Sequence, residues 1–412
     1  MAKKILAIAL VAIVAVSAAA CFAACEEEPT PYADLVAVRV NNFMAEWENI
    51  DYNFTYEGSS ALKVSVPYTN YLEVNDLIVS PGAEYKVYED EGKTKQLTDL
   101  SKIYVDGAKT LYIDVTNGEL SNSYSVEVTV KQTNLPPESE TADKKYDNRG
   151  GHIYIPDGAE TVEVDGVVYN VVRDRMPLLE NINYILAGDV YCVANPFDYS
   201  AIYNGNNYEL QMSINSHSLV DELQEGGVIK NVVFVSAQFQ DRPFSWHEYC
   251  HTVCNNNYGT IENVKTNLNC MIYQSLVGVE FRPITVGYFA QENHGTISNC
   301  INTGNIFAKK NNMVVETGAF VVEQYGEMNN CVNTGMVQHE FPYWEEYRYQ
   351  NGAGAITFLT SEDAEFRGVF NVGECVNGQI DDKYIDETLE GLAFCTQVEG
   401  QYPDLSRAKN YR

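Results

Sequence analysis

Two hydrophobic rhythms divide the chain. From Leu35 to about Lys131 the period is two. Leu62-Lys63-Val64-Ser65-Val66 alternates apolar and polar positions and stops at Pro67. Leu111 to Val115 and Tyr124 to Val130 alternate in the same way, and turn residues such as Ser80-Pro81-Gly82 and Asn117-Gly118 separate the runs. A period of two turns one face of a strand to a core and the other to water. About seven such strands at this spacing predict a β-sandwich over residues 35–131.

Beyond Gly151 a longer period takes over. Its clearest copies are GYFAQENHGTISNCINTGNI, from Gly287 to Ile306, and GAFVVEQYGEMNNCVNTGMV, from Gly318 to Val337. Each opens on a short apolar strand, passes a polar turn and a Gly-x-apolar-x-Asn anchor, and closes on Asn-Thr-Gly. The anchors start at Gly227, Gly259, Gly295 and Gly326, 32, 36 and 31 residues apart, and a worn copy runs from Phe366 to Gly378. A unit this short cannot bury its apolar side alone and must stack on its own copies. Glycine permits a tight corner before each strand. The anchor Asn can take a left-handed corner or bond stacked backbone. Ile297, Cys300 and Ile306 are expected inside. Residues 151–180 and 381–412 are the expected caps, with a short helix at Asp386 to Phe394.

The fold expected is therefore all-β, a sandwich followed by a parallel solenoid. The chain divides into a leader (1–24), a linker (25–34), the sandwich (35–131), a second linker (132–150) and the capped solenoid (151–412). The second linker, QTNLPPESETADKKYDNRG, has no apolar period.

Two family resemblances bear on this. Ala83-Glu84-Tyr85-Lys86-Val87, the run DGAKTLYIDVTNG from Asp106, and the Tyr124 to Val130 strand resemble cadherin-like modules of bacterial surface proteins. That resemblance implies a spacer or interaction module. The repeat resembles the GLUG repeat of bacterial adhesins, on Gly287-Tyr288-Phe289-Ala290, Gly318-Ala319-Phe320-Val321 and Gly354-Ala355-Ile356-Thr357 with the anchors above. It implies a right-handed parallel β-helix of the pectin-lyase-like kind. The segments Asn181 to Cys192 and Phe197 to Ser216 resemble the opening coils of such helices.

The first residues change the expected address. Lys3 and Lys4, an apolar stretch from Ile5 to Val16, and small residues before Cys21 and again before Cys25 form an export signal resembling a bacterial lipobox. The apolar stretch is short for a membrane span. Cys25, followed by the acidic EEEPTP tether, is the expected lipidation site, with Cys21 the alternative. The implied partner is the membrane, reached through an N-terminal lipid. The formal net charge of −30 argues against nucleic acid, whose phosphates such a surface repels.

Eight further cysteines could pair in an exported protein. Cys300, Cys331 and Cys375 each precede an apolar-Asn dipeptide, which predicts a buried ladder of free thiols instead.

Candidate chemistry is sparse. His247-Glu248-Tyr249-Cys250-His251 matches H-E-x-x-H, in which two His one helical turn apart bind zinc. Its place in the repeat is that of a strand, and no third ligand follows at the expected spacing. His247, Cys250, His251 and Cys254 are thus metal candidates only for adventitious binding, and no cofactor is expected. Polysaccharide-active β-helices need paired carboxylates or Asp clusters. This chain has no Asp between Asp241 and Asp363, and its Glu residues there are scattered.

Two insertions are aromatic: Phe239 to Tyr249 and Phe341 to Gly352. Trp246 in the first, and Tyr343, Trp344, Tyr347, Arg348 and Tyr349 in the second, are the candidate ligand-binding residues. They suit stacking on sugar rings or anchoring a protein partner. They serve equally as a cover over apolar coils. The functional expectation is a non-enzymatic surface lipoprotein that binds a glycan or protein. The alternatives are a polysaccharide lyase or hydrolase and, more remotely, a zinc peptidase.

Overall fold

The computed structural model describes residues 32–48, 61–132, 135–136, 146–175, 181–192, 197–212, 218–236, 249–274, 284–310, 315–340, 352–361, 363–378, 395–399 and 408–411. Every regular element among these is a β-strand, so the protein is all-β. The helix expected at 386–394 lies outside the described residues.

The first lobe, residues 32–132, holds two main sheets around one core, together with a short antiparallel pair, Tyr71–Leu72 with Ile103–Tyr104. The smaller is antiparallel, with Leu35–Val40 between Phe43–Met44 and Val74–Val79. The larger runs Glu46–Trp47, Ala61–Val66, Leu120–Val130, Ala108–Asn117, Glu84–Tyr88, Gln96–Leu97. Alternation seen in the sequence becomes alternation in burial: Leu62, Val64 and Val66 are buried while Lys63 and Ser65 face out. Leu35–Val40 breaks the rule, because all six of its residues are buried. Leu35, Val38 and Val40 enter the lobe's own core, and Val36 and Ala37 enter a second one.

The second lobe opens on a hairpin, Thr161–Val164 with Val167–Val172. From there the chain returns to the same sheets pass after pass, always in parallel. One column of the broad sheet is Ile229, Ile261, Ile297, Met328 and Phe366, side by side in register and buried. These are the repeat anchors in sequence order. Three further parallel sheets follow the same passes. Cys395–Glu399 and Ala408–Asn410 extend two of the sheets.

Polar residues also stack inside. Asn302, Asn333 and Asn371 are fully buried and linked Nδ2 to Oδ1 at 2.8 Å each, with Thr266 donating to Asn302 at the head of the row. Each of these Asn also accepts from the N–H, and donates to the C=O, of the glycine two residues on, at Gly304, Gly335 and Gly373. A Cβ on Gly335 would collide with the carbonyl oxygen of Gly304 in the pass beneath. The Asn-Thr-Gly motif is thus a self-bonded corner whose amides find their partners in the neighbouring passes.

This corner corrects the cysteine ladder. Cys300 and Cys331 do stack, both fully buried. Cys375 does not join them. The worn Asn-Thr-Gly of the last pass is Asn371-Val372-Gly373, so Val369 lies beside Cys331 and Cys375 lies beside Val337 in another sheet. The apolar-Asn dipeptide after Cys375 imitates the motif at the wrong place. Cys192, Cys254, Cys270, Cys300, Cys331 and Cys375 are thiols rather than halves of disulfides.

The first lobe does not stand off as a spacer. Val36, Ala37 and Met44 pack on Ile301, Val332, Phe370 and Tyr411 of the stack. Ile301, Val332 and Phe370 form one register column, and lysines stand at its two ends, Lys265 beside Ile301 and Lys409 beside Phe370. Lys265 pairs with Asp76 at 3.1 Å and Lys409 with Asp34 at 2.9 Å. Asp76 also holds the buried Arg39 at 3.2 Å. An apolar stripe closed at both ends by ion pairs thus joins the lobes. Residues 146–150, assigned above to a linker, also bind the first lobe: Asn41 and Asn42 donate to the carbonyls of Asn148 and Gly150 at 2.7 and 3.0 Å.

Asn333→Ala should lower stability by about 3 kcal/mol, since it strands buried amides in two passes at once. Urea unfolding followed by tryptophan fluorescence measures the loss. Asp76→Ala should cost about 3–5 kcal/mol, because Arg39 is left buried without its counter-charge. Lys63→Ala, at an exposed pair with Glu48 and Glu127, should change the midpoint little.

Candidate functional site

The strand that links the two sheets of the first lobe creates a cleft. Met44 pairs with Arg39 in the smaller sheet, whereas Glu46 pairs with Lys63 in the larger. The chain therefore changes sheets at Ala45. Beside this crossing lies a space of about 420 Å³, walled by Lys63, Val64, Ser65, Pro67 and Lys131 from the first lobe. The hairpin residues Val164, Asp165, Val167 and Tyr169 form a second wall, Lys230 and Glu262 of the stack line a third, and three corner asparagines, Asn231, Asn263 and Asn299, form the floor. This volume is in the range of small-ligand sites.

The floor is part of a column of left-handed corners. Asn231, Asn263, Asn299 and Asn330 all have positive φ, between 49° and 56°. Asn263 donates to Asn231 at 3.0 Å, and Asn330 to Asn299 at 2.7 Å. Between Asn263 and Asn299 the column is interrupted, and the crossing strand fills the break. Met44 N–H donates to Asn263 Oδ1 at 3.2 Å, Asn299 Nδ2 donates to Glu46 Oε1 at 2.7 Å, and Asn330 Nδ2 to the Ala45 carbonyl at 3.0 Å. These amides are committed to one another and to the crossing strand, so the floor is stiff.

The walls keep free charge. Among the described residues the side chains of Lys131, Asp165, Lys230 and Glu262 have no hydrogen-bond or ion-pair partner. Lys230 and Glu262 are register neighbours on adjacent strands. The lining balances Lys63, Lys131 and Lys230 against Glu46, Asp165 and Glu262, a local neutrality in a chain of net charge −30. It includes no histidine or cysteine. Such a surface can hold a ligand that offers both donors and acceptors.

A second row of chemistry lies elsewhere on the stack. Tyr258, His294 and Tyr325 stack ring on ring, with centroids 4.9 and 4.6 Å apart. His294 Nε2 lies 3.1 Å from Glu292, and the Tyr325 hydroxyl donates to Glu323 at 2.6 Å. Nearby, burial and the charge of Glu323 push the Glu316 carboxyl up to about 7. The signal was present in the sequence: Asn-Asn-Tyr-Gly at 256–259, Glu-Asn-His-Gly at 292–295 and Glu-Gln-Tyr-Gly at 323–326 align. In each, the middle amide turns inward, joining Asn257, Asn293 and Gln324 in a buried row, and the ring turns outward.

The residues favoured by sequence fall mostly elsewhere. Cys21, Cys25, Trp246, His247, Tyr343, Trp344, Tyr347, Arg348 and Tyr349 lie outside the described residues. Tyr249–His251 is a strand in parallel register with Thr285, Val286 and Gly287. The zinc helix of H-E-x-x-H therefore does not form through Cys250 and His251, because this stretch is spent on sheet pairing. Cys254 is buried, its thiol donates to the Phe289 carbonyl at 3.5 Å, and burial pushes its pKa up, which disfavours the metal-binding thiolate. Among the described residues no three His, Cys, Asp or Glu gather as a metal site.

Comparison of the chain with protein-family models, with curated proteins and with solved structures gives no match.

Glu316 supplies a pH test. Its ordinary value is 4.5 and its folded value about 7. In that window the folded protein keeps a proton that the unfolded chain has lost, so stability falls as pH rises from 4.5 to 7 and stays lower above. Glu316→Gln should melt higher than the parent at pH 8 and at the same temperature at pH 4. Thermal melts at the two pH values measure the difference.

Proposed function

We propose that the protein is a bacterial surface lipoprotein, exported by its N-terminal signal and acylated at Cys25 or Cys21. In this reading a cadherin-like β-sandwich docks along the flank of a right-handed parallel β-helix of GLUG type. The parallel return of every pass and the recurrence of the anchors in one column support the β-helix. The role is non-enzymatic binding of a glycan or protein at the envelope, with no nucleic acid and no cofactor involved.

One observation carries the binding role. Two lobes meet around a cleft whose floor amides are already bonded while four charges on its walls are not. A site pre-organised by its own hydrogen bonds loses little entropy on binding. The aromatic loop with Tyr343, Trp344, Tyr347, Arg348 and Tyr349, together with Trp246, would add a second contact.

A polysaccharide-active enzyme is the second reading, and Glu316 favours it. A carboxyl held near 7 beside another carboxylate suits a general acid. Release of reducing or unsaturated ends from acidic polysaccharides, lost in Glu316→Gln, would establish it.

The test of the first reading is a glycan and surface-protein array probed with the chain from residue 26 onward. Two double variants, Lys230→Ala with Glu262→Ala and Trp344→Ala with Tyr347→Ala, run beside it. Binding by the parent that the cleft variant loses is the expected result. Binding lost only in the aromatic variant would move the site to the 341–352 loop. Absence of binding across the array would contradict the role.

A further inference from the structure

The same cleft contains an open strand edge, and that edge names a ligand class. Glu48 N–H donates to the Ala61 carbonyl at 3.1 Å, and Glu46 stands opposite Lys63. In an antiparallel ladder the bonding residues alternate. Ala61, Lys63 and Ser65 therefore turn their N–H and C=O groups to this side. Leu62, Val64 and Val66 turn theirs to the parallel neighbour Leu120–Val130, in keeping with the Lys131 N–H on the Val66 carbonyl at 2.8 Å.

Continued by two residues, the ladder would set Met44 opposite Ser65. Met44 has left: it pairs with Arg39 in the other sheet, and its N–H is spent on Asn263. The main-chain N–H and C=O of Ser65 thus face the cleft with no strand partner among the described residues, and Pro67, which has no N–H, ends the edge. A backbone, unlike a sugar, matches such an edge group for group.

We propose that the cleft receives a short extended peptide segment of mixed charge, which adds as a strand beside Val64–Val66. The inference rests on the binding role proposed above. The guest backbone bonds Ser65. Its acidic side chains meet Lys131 and Lys230, and its basic ones meet Asp165 and Glu262. Opposite charges side by side on Lys230 and Glu262 reject segments of a single sign, which gives the site selectivity as well as affinity.

The test uses an array of N-acetylated hexapeptides in which Val alternates with Glu, Lys or Ser, probed with the chain from residue 26 onward. Peptides carrying both Glu and Lys should bind, and those carrying only Glu, only Lys or only Ser should not. Methylation of the central backbone nitrogens should weaken the best binder about tenfold, as should Ser65→Pro, which removes one N–H from the open edge. Lys230→Glu, a change to a half-buried side chain outside that ladder, should weaken acid-bearing peptides by a similar factor. The inference is overturned if no peptide binds, or if binding ignores both Lys230→Glu and backbone methylation. A parallel glycan array separates the two levels. Glycan binding lost in Lys230→Glu, without peptide binding, overturns the peptide and keeps the binding role; silence on both arrays overturns both.

Discussion

The interruption of the asparagine column between Asn263 and Asn299 is the constraint on which the rest of the molecule turns. A repeat that places an Asn at each left-handed corner must satisfy a buried or half-buried amide at every pass. Asn263 and Asn299 have no bond to each other, and their open groups are met by Met44 N–H and Glu46 Oε1. Satisfying them brings the first lobe against the stack. Once it is there, Ile301, Val332 and Phe370, which would otherwise be an exposed apolar stripe, are covered by Val36 and Ala37. The lysines at the stripe's ends find Asp76 and Asp34.

The cleft is a by-product of the same contact. Met44 cannot serve the asparagine column and also stay opposite Ser65, so the strand crosses between sheets at Ala45 and leaves an edge open. Cleft and structural joint are therefore made by one displacement of one strand. The charge that lines the cleft is free while the amides beneath are not: Asn231, Asn263 and Asn299 are held by neighbours, whereas Lys230 and Glu262, one strand apart, have no side-chain partner among the described residues.

Much of the architecture was legible in the sequence because its periods are physical. Alternation in Leu62 to Val66 and in Tyr124 to Val130 became alternate burial. The anchors at Gly227, Gly259, Gly295 and Gly326 came into register, and the corner asparagines took positive φ. What the sequence hid was long-range. Leu-Val-Ala-Val-Arg-Val reads as one more strand, and only its burial on both faces announces a second core. The pairing of Asp76 with Lys265 joins residues 189 apart in sequence, which no local pattern encodes. Cys375 misled because a dipeptide match ignores where the corner glycine falls. The candidate site was least legible, since an open edge arises from where a strand departs and has no residue signature.

The joint between lobes is tested most directly by hydrogen exchange on the parent and on Asn263→Ala. The amides to follow are those of Leu120–Val130 in the first lobe and Glu327–Asn333 in the stack. If one amide column holds the lobes as a unit, the single substitution lowers the protection of both strands together, although neither contains the changed residue. Loss of protection confined to the stack, with Leu120–Val130 exchanging as in the parent, would contradict the account.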